Sequence, residues 1–136
     1  MSTPKIVYLS GTISDSNKTE LWRVLAGALL EQEGIFVLNP LRGRPGEVDD
    51  AMYVERDIVD VRGSDLVLLY FPKEICPSRQ SIGTWAEFGI AVANKIPVVV
   101  VTDDVEIACH PFIRRFSMKV TPSMAEGLKA VKWFLT

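Results

Sequence analysis

The stretch SIGTWAEFGIAVANK, residues 81–95, has helical spacing and only two charges, Glu87 near its start and Lys95 at its end. On a helical wheel Gly83, Thr84, Ala91 and Asn94 fall within about 60° of Glu87, so the carboxylate shares a stripe of small residues. Cβ vectors tilt towards a helix N-terminus, which aims Glu87 back at Ser81 across roughly 9 Å of axis. One ligand could touch both. A carboxylate in the first turns of a helix is expected to be ionised by the free N–H groups and the dipole. In a small, fairly dry niche it is then a usable nucleophile. A serine hydroxyl beside those same N–H groups is an anion site. A solvated or ion-paired Glu87 fits helix spacing as well.

The elements that must position these groups alternate along the chain. KIVYLS (5–10) is a short strand ending at Gly11, and KTELWRVLAGALLEQEG is a helix stopped at Gly34. IFVL is a second strand ended by Asn39-Pro40, followed by the loop LRGRPGEVDD and the helix AMYVERDIVDVRG. DLVLLYF (65–71) and IPVVVVT (96–102) are apolar strands on either side of the Glu87 helix. DDVEIACHPFIRRF reads as irregular, MKVT as a brief strand, and SMAEGLKAVKWFL as a helix opened by the capping box Ser123-x-x-Glu126. Apolar strands alternating with helices predict a five-stranded parallel sheet covered on both faces, an α/β flavodoxin-like doubly wound sandwich. Ligands of such sheets bind beyond the carboxyl ends of the strands, at the switch in strand order.

With 136 residues, the chain is expected to form a single domain over 1–136. A formal charge of −2, with no run of like charges, argues against a nucleic-acid polymer or an anionic membrane as partner. No apolar run approaches the ~18 residues of a membrane span. Cys76 and Cys109 with the lone His110 cannot build a zinc site of ordinary spacing. Free cysteines without a signal peptide point to a reducing, cytoplasmic setting. No Walker loop or G-x-G-x-x-G is present, which leaves ATPase and dinucleotide readings unsupported.

VYLSGTI (7–13), ERDIVDVRGSDLVLL (55–69) and SIGTWAEFGIAVANK (81–95) resemble, in order, the three signature blocks of the nucleoside 2-deoxyribosyltransferase superfamily. The resemblance implies a flavodoxin-like fold and cleavage of N-glycosidic bonds of nucleosides or nucleotides, without metal or organic cofactor. It makes Glu87 the nucleophile that holds the sugar as a covalent ester, and Asp57 its partner. Asp65 also matches a family aspartate, although a residue opening a buried strand more often has a structural task. Tyr8 matches an aromatic that lines the site; it reads equally as a strand residue with its hydroxyl at the rim. Ser81 and Gly83, within S-x-G-x-x-x-E, match the branch that hydrolyses 5′-monophosphates, and Gly11, Thr12, Ile13 and Ser14 would add backbone N–H groups around the phosphate. Base-exchanging transferases carry an aspartate where Ser81 stands. Ser14 and Asp15 replace an arginine frequent in the hydrolase branch, Ser78 rivals Ser81 for the phosphate, and AVKWFLT has no clear match to the transferases' C-terminal segment. The resemblance also implies a homodimer or higher homo-oligomer. Alternatives are base transfer, a nucleotide-binding module without turnover, and an interaction domain that uses the apolar helix. Arg42 and Arg44 could clamp a phosphate or be solvated, and His110 has no nucleophile to pair with.

Overall fold

The computed structural model describes residues 3–13, 17–43 and 49–136. Five strands, β1 (Ile6–Gly11), β2 (Phe36–Leu38), β3 (Leu66–Tyr70), β4 (Val98–Val101) and β5 (Lys119–Thr121), form one parallel sheet in the order β2-β1-β3-β4-β5. The helices are α1 (Asn17–Glu31), α2 (Asp50–Arg62), α3 (Ile82–Ala93), α4 (Val105–Cys109), α5 (Pro111–Phe116) and α6 (Met124–Leu135). This is the expected α/β flavodoxin-like sandwich. The order reverses between β1 and β3, so the switch point lies at the carboxyl ends of those strands.

The strands alternate their side chains between two apolar layers. Val7, Leu9, Leu66, Leu68, Val99 and Val101 pack with Trp22, Ala26 and Leu30 of α1 and Leu128 and Val131 of α6. Tyr8, Val67, Leu69, Val98 and Val100 face Val61 of α2, Phe88 and Ala91 of α3 and Ile113 of α5. Asp65, at the foot of β3, accepts the Ile6 N–H at 2.8 Å and so fixes where β1 begins. That is a structural task.

The segment after β4 is not irregular. Asp104 accepts from the Glu106 N–H at 3.1 Å and caps α4; His110 Nδ1 accepts from the Phe112 N–H and caps α5, with Pro111 at its first position. Helices of five and six residues are too short to show a hydrophobic period, and the polar caps read as breakers.

Candidate active site

β1 supplies the floor. Tyr8 and Ser10 stand two residues apart and so project from the same face of the strand, beneath α3. Both are fully buried. The Tyr8 hydroxyl donates to Glu87 Oε2, and the Ser10 hydroxyl donates to Oε1 at 2.8 Å. Each carboxylate oxygen therefore has its own donor, and the head group of Glu87 is held flat against the strand. Tyr8 is not at the rim of the site. It lies wholly beneath Glu87, because the third residue of β1 is in the middle of the sheet rather than at its end.

Above this floor a cavity of about 440 Å³ opens at the β1–β3 switch point. Gly11, Thr12 and Ile13 wall it on one side, Asp57 of α2 on another, and Ser81, Gly83 and Glu87 on the third. Of the residues expected in the site, these seven line one space, and Tyr8 lies beneath it. Ser78 does not: it is exposed in the preceding loop, with its hydroxyl 3.9 Å from the Cys76 sulfur. Ser14 and Arg44 lie outside the described residues. Arg42 is engaged elsewhere, at 2.7 Å from Asp60.

Protonation departs from the expectation. Burial pushes the Glu87 carboxyl up from 4.5 to about 7, and the neighbouring Asp57 charge adds to the rise. The Tyr8 and Ser10 hydrogen bonds and the Arg23 charge oppose it. Glu87 is the sixth residue of α3, a turn past the free N–H groups, where the dipole has faded and desolvation prevails. Tyr8 is held firmly protonated, first by burial and then by the Glu87 charge. A phenol in that state is a fixed donor.

Two features of the support escape the sequence. Ser10 is one; the other is Arg23. Its side chain is buried on the core side of α1, with Nη2 donating to the Gly11 carbonyl at 2.8 Å and Nη1 to the Thr19 and Thr12 carbonyls at 2.5 and 3.3 Å. It stacks over Trp22 at 4.8 Å. The guanidinium thus pins the turn after β1 and places positive charge behind Glu87. The signal was an arginine among Trp22, Ala26 and Leu30 on the inward face of α1. Glycine is required at position 11, because a Cβ there would lie 2.7 Å from the Tyr70 carbonyl oxygen and 3.1 Å from the Trp22 ring.

The rim is looser. Ser81 is the N-cap of α3, yet its side chain caps no N–H; its hydroxyl lies 2.7 Å from that of Thr84. A Cβ on Gly83 would meet nothing within 4 Å. Thr12 Oγ1 is buried without a hydrogen-bond partner among the described residues. The loop before α3 is set by Arg79, whose backbone is left-handed (φ 59°) and whose guanidinium grips buried Asp104 at 2.6 and 3.2 Å. On the other side of α3, Trp85, Phe88 and Val92 border an apolar cavity of about 540 Å³ with Ile107, Phe112, Ile113 and Phe116.

Among the described residues no group of three His, Cys, Asp or Glu side chains could hold a metal ion, and no helix is long and apolar enough to cross a membrane. The profile of a family described as "Nucleoside 2-deoxyribosyltransferase like" matches residues 4–105. No curated protein matches the chain. Solved structures that share its fold include the following three. A 2-deoxyribosyltransferase from Leishmania mexicana is 15% identical, with a TM-score of 0.76 over 96% of this chain and 98% of the other. A molybdenum cofactor binding protein from Rippkaea orientalis is 18% identical, with a TM-score of 0.73 over 100% of both. A CMP N-glycosidase from Clostridium botulinum is 18% identical, with a TM-score of 0.63 over 95% and 99%.

Proposed function

Because the chain belongs to the nucleoside 2-deoxyribosyltransferase-like family, we propose that it cleaves the N-glycosidic bond of 2′-deoxynucleoside 5′-monophosphates or nucleosides, with Glu87 as nucleophile. One observation carries the reading: a carboxylate fixed by two buried hydroxyls opens onto a cavity that it shares with Asp57.

In the first step a Glu87 oxygen attacks the anomeric carbon from below. The bond from that carbon to the base nitrogen breaks, and the base leaves with the electron pair. The passing state resembles an oxocarbenium ion, which the Glu87 charge stabilises before closing on it as an ester, as in a retaining glycosidase. Asp57, on the facing wall, orients the sugar and moves the proton that the departing base requires. Water, deprotonated by Asp57, then attacks the anomeric carbon; the bond from that carbon to the Glu87 oxygen breaks, and both the sugar and the Glu87 carboxylate are freed. Were a second base to attack instead, the reaction would be transfer.

Ser81, the first free N–H groups of α3 and the Gly11-Thr12 turn offer donors for a 5′-phosphate at the rim. This favours monophosphates. The fold also carries a cofactor-binding protein, so turnover is the property to measure. Free base released from a panel of nucleosides and their 5′-monophosphates, with and without a second base, decides the matter. Release from monophosphates that Glu87→Ala abolishes supports the hydrolase; a swapped base supports the transferase. No release from any substrate overturns catalysis.

A further inference from the structure

Among the described residues, two besides glycines hold a left-handed backbone, Lys95 (φ 58°) and Arg79 (φ 59°). Lys95 follows the Asn94 cap of α3, where a left-handed residue is an ordinary way to end a helix. Arg79 ends no helix. It stands in the loop from β3 to α3, two residues before Ser81. A residue with a Cβ keeps this conformation only where its surroundings impose it.

Here the guanidinium imposes it. Its Nε and Nη2 grip both oxygens of buried Asp104, at 2.6 and 3.2 Å, and Nη1 lies 3.2 Å from Glu106. Asp104 is held in turn. Its N–H donates to Thr102 Oγ1 at 3.1 Å, and that hydroxyl donates to the Phe71 carbonyl at 2.7 Å. Arg79 is thereby tied to the chain just past the carboxyl ends of β3 and β4, rather than only to its own loop. On its other side the Arg79 carbonyl accepts from the indole N–H of Trp85, in the first turn of α3, at 3.4 Å. One residue joins the sheet to the start of the helix that carries Glu87.

The turn at Arg79 divides two serines. Before it, Ser78 is exposed, with its hydroxyl 3.9 Å from the Cys76 sulfur. After it, Ser81 lines the cavity with Gly83 and Glu87. We propose that Arg79 is a positioning residue that selects between them. Its left-handed turn, locked onto Asp104, carries Ser81 to the cavity, leaves Ser78 outside, and so sets the preference for a 5′-phosphate. The inference rests on the reading of Ser81 as the phosphate contact. Glycine would take the same backbone but many others as well, whereas the gripped arginine takes one. Lysine would keep the charge and lose the two-pronged hold on the carboxylate.

Calorimetric titration with the four common 2′-deoxynucleosides and their 5′-monophosphates tests this, in a Glu87→Ala background where no turnover intervenes. Arg79→Ala is expected to weaken monophosphates about 10-fold and leave nucleosides unchanged, as Ser81→Ala does. Both changes remove one contact, so the double variant should also lose about 10-fold rather than about 100-fold. A side chain that only stabilised the loop would give independent losses and weaken nucleosides too. Should Arg79→Ala fail to fold, Asp104→Asn loosens the anchor instead, and the same split is expected. Equal weakening of both ligands, additive losses in the double variant, an unchanged monophosphate affinity or a host that binds neither ligand would overturn the assignment. Base release with Glu87 intact is measured separately. Its absence beside the expected split would overturn catalysis and leave the role of Arg79 standing.

Discussion

The floor and the rim of the cavity are built by opposite rules. On the floor every polar atom that meets Glu87 is buried and comes from a strand in the middle of the sheet: Tyr8 and Ser10 on β1, backed by Arg23. At the rim Ser81 is half-buried, Gly83 has open space around it, and the serine bonds to a neighbouring hydroxyl rather than to the helix. In the proposed reaction a fixed floor suits Glu87, which would have to meet the anomeric carbon in a closely set geometry. An open rim suits contacts to the remote part of a substrate, whose identity such contacts select. Floor substitutions should therefore act on kcat and rim substitutions on KM.

The largest effect belongs to Glu87. Glu87→Ala should lower base release by roughly 10³-fold or more, because both the charge and the covalent step disappear. Glu87→Gln should be as inactive and yet more stable. The folded carboxyl holds its proton up to about 7, whereas the unfolded one releases it near 4.5. Between those values the folded state binds more protons than the unfolded state, so wild-type stability falls as pH rises through the window. The amide removes that loss. Thermal unfolding of the two proteins should diverge from pH 5 to pH 8, with Glu87→Gln ahead by about 1–3 kcal/mol at the upper end. Parallel melting curves would show that Glu87 is not desolvated.

The two floor hydroxyls come next. Each donates to the ionised carboxylate and holds its proton affinity down, so its removal should raise that affinity further. If the proposed reaction needs ionised Glu87, wild-type activity should rise with pH through about 7. In Tyr8→Phe and Ser10→Ala that acid limb should move to higher pH, with kcat about 10- to 100-fold lower and KM little changed. Ser10→Thr, which keeps the hydroxyl, should recover part of the rate. An acid limb that stays in place in both variants would mean that the hydroxyls only fill space.

How much of this was legible in the sequence follows from the range of the interactions. The strands, the long helices and the isolation of Glu87 are local patterns, and they place Ser81 and the Gly11 turn at one end of the sheet, whereas Asp57 was picked out only by the family resemblance. Ser10 was invisible because its partner is 77 residues away; in KIVYLS it is one more small strand residue. Arg23 was hidden by convention, since an arginine in a helix is taken as solvated until the helix shows which side faces in. The proton affinity of Glu87 was misjudged for a related reason. Position along α3 predicts a field, but the depth of the pocket, which decides the sign, exists only once β1 lies beneath it.

Among smaller effects, Ser81→Ala should raise KM for monophosphates by about 10-fold while nucleosides are turned over unchanged, one charge-assisted hydrogen bond being worth about 1.5–3 kcal/mol at most. Equal losses on both substrates would place Ser81 in the helix start rather than in the phosphate contact.

The smallest effects separate the two glycines, and they test floor against rim most directly. At Gly11 a methyl group runs into the Tyr70 carbonyl oxygen and the Trp22 ring, neither of which can retreat without moving β3 or α1. Gly11→Ala should therefore cost about 1–3 kcal/mol and disturb the turn that Arg23 holds. At Gly83 the same methyl meets nothing, and alanine is the better helix former. Gly83→Ala should raise stability by about 0.5–1 kcal/mol, an increment visible in a denaturant midpoint. If the rim glycine leaves room for substrate, that more stable protein should also show a KM raised a few-fold at unchanged kcat. If KM stays where it was, the opening at Gly83 faces solvent only, and the phosphate is held closer to Thr12.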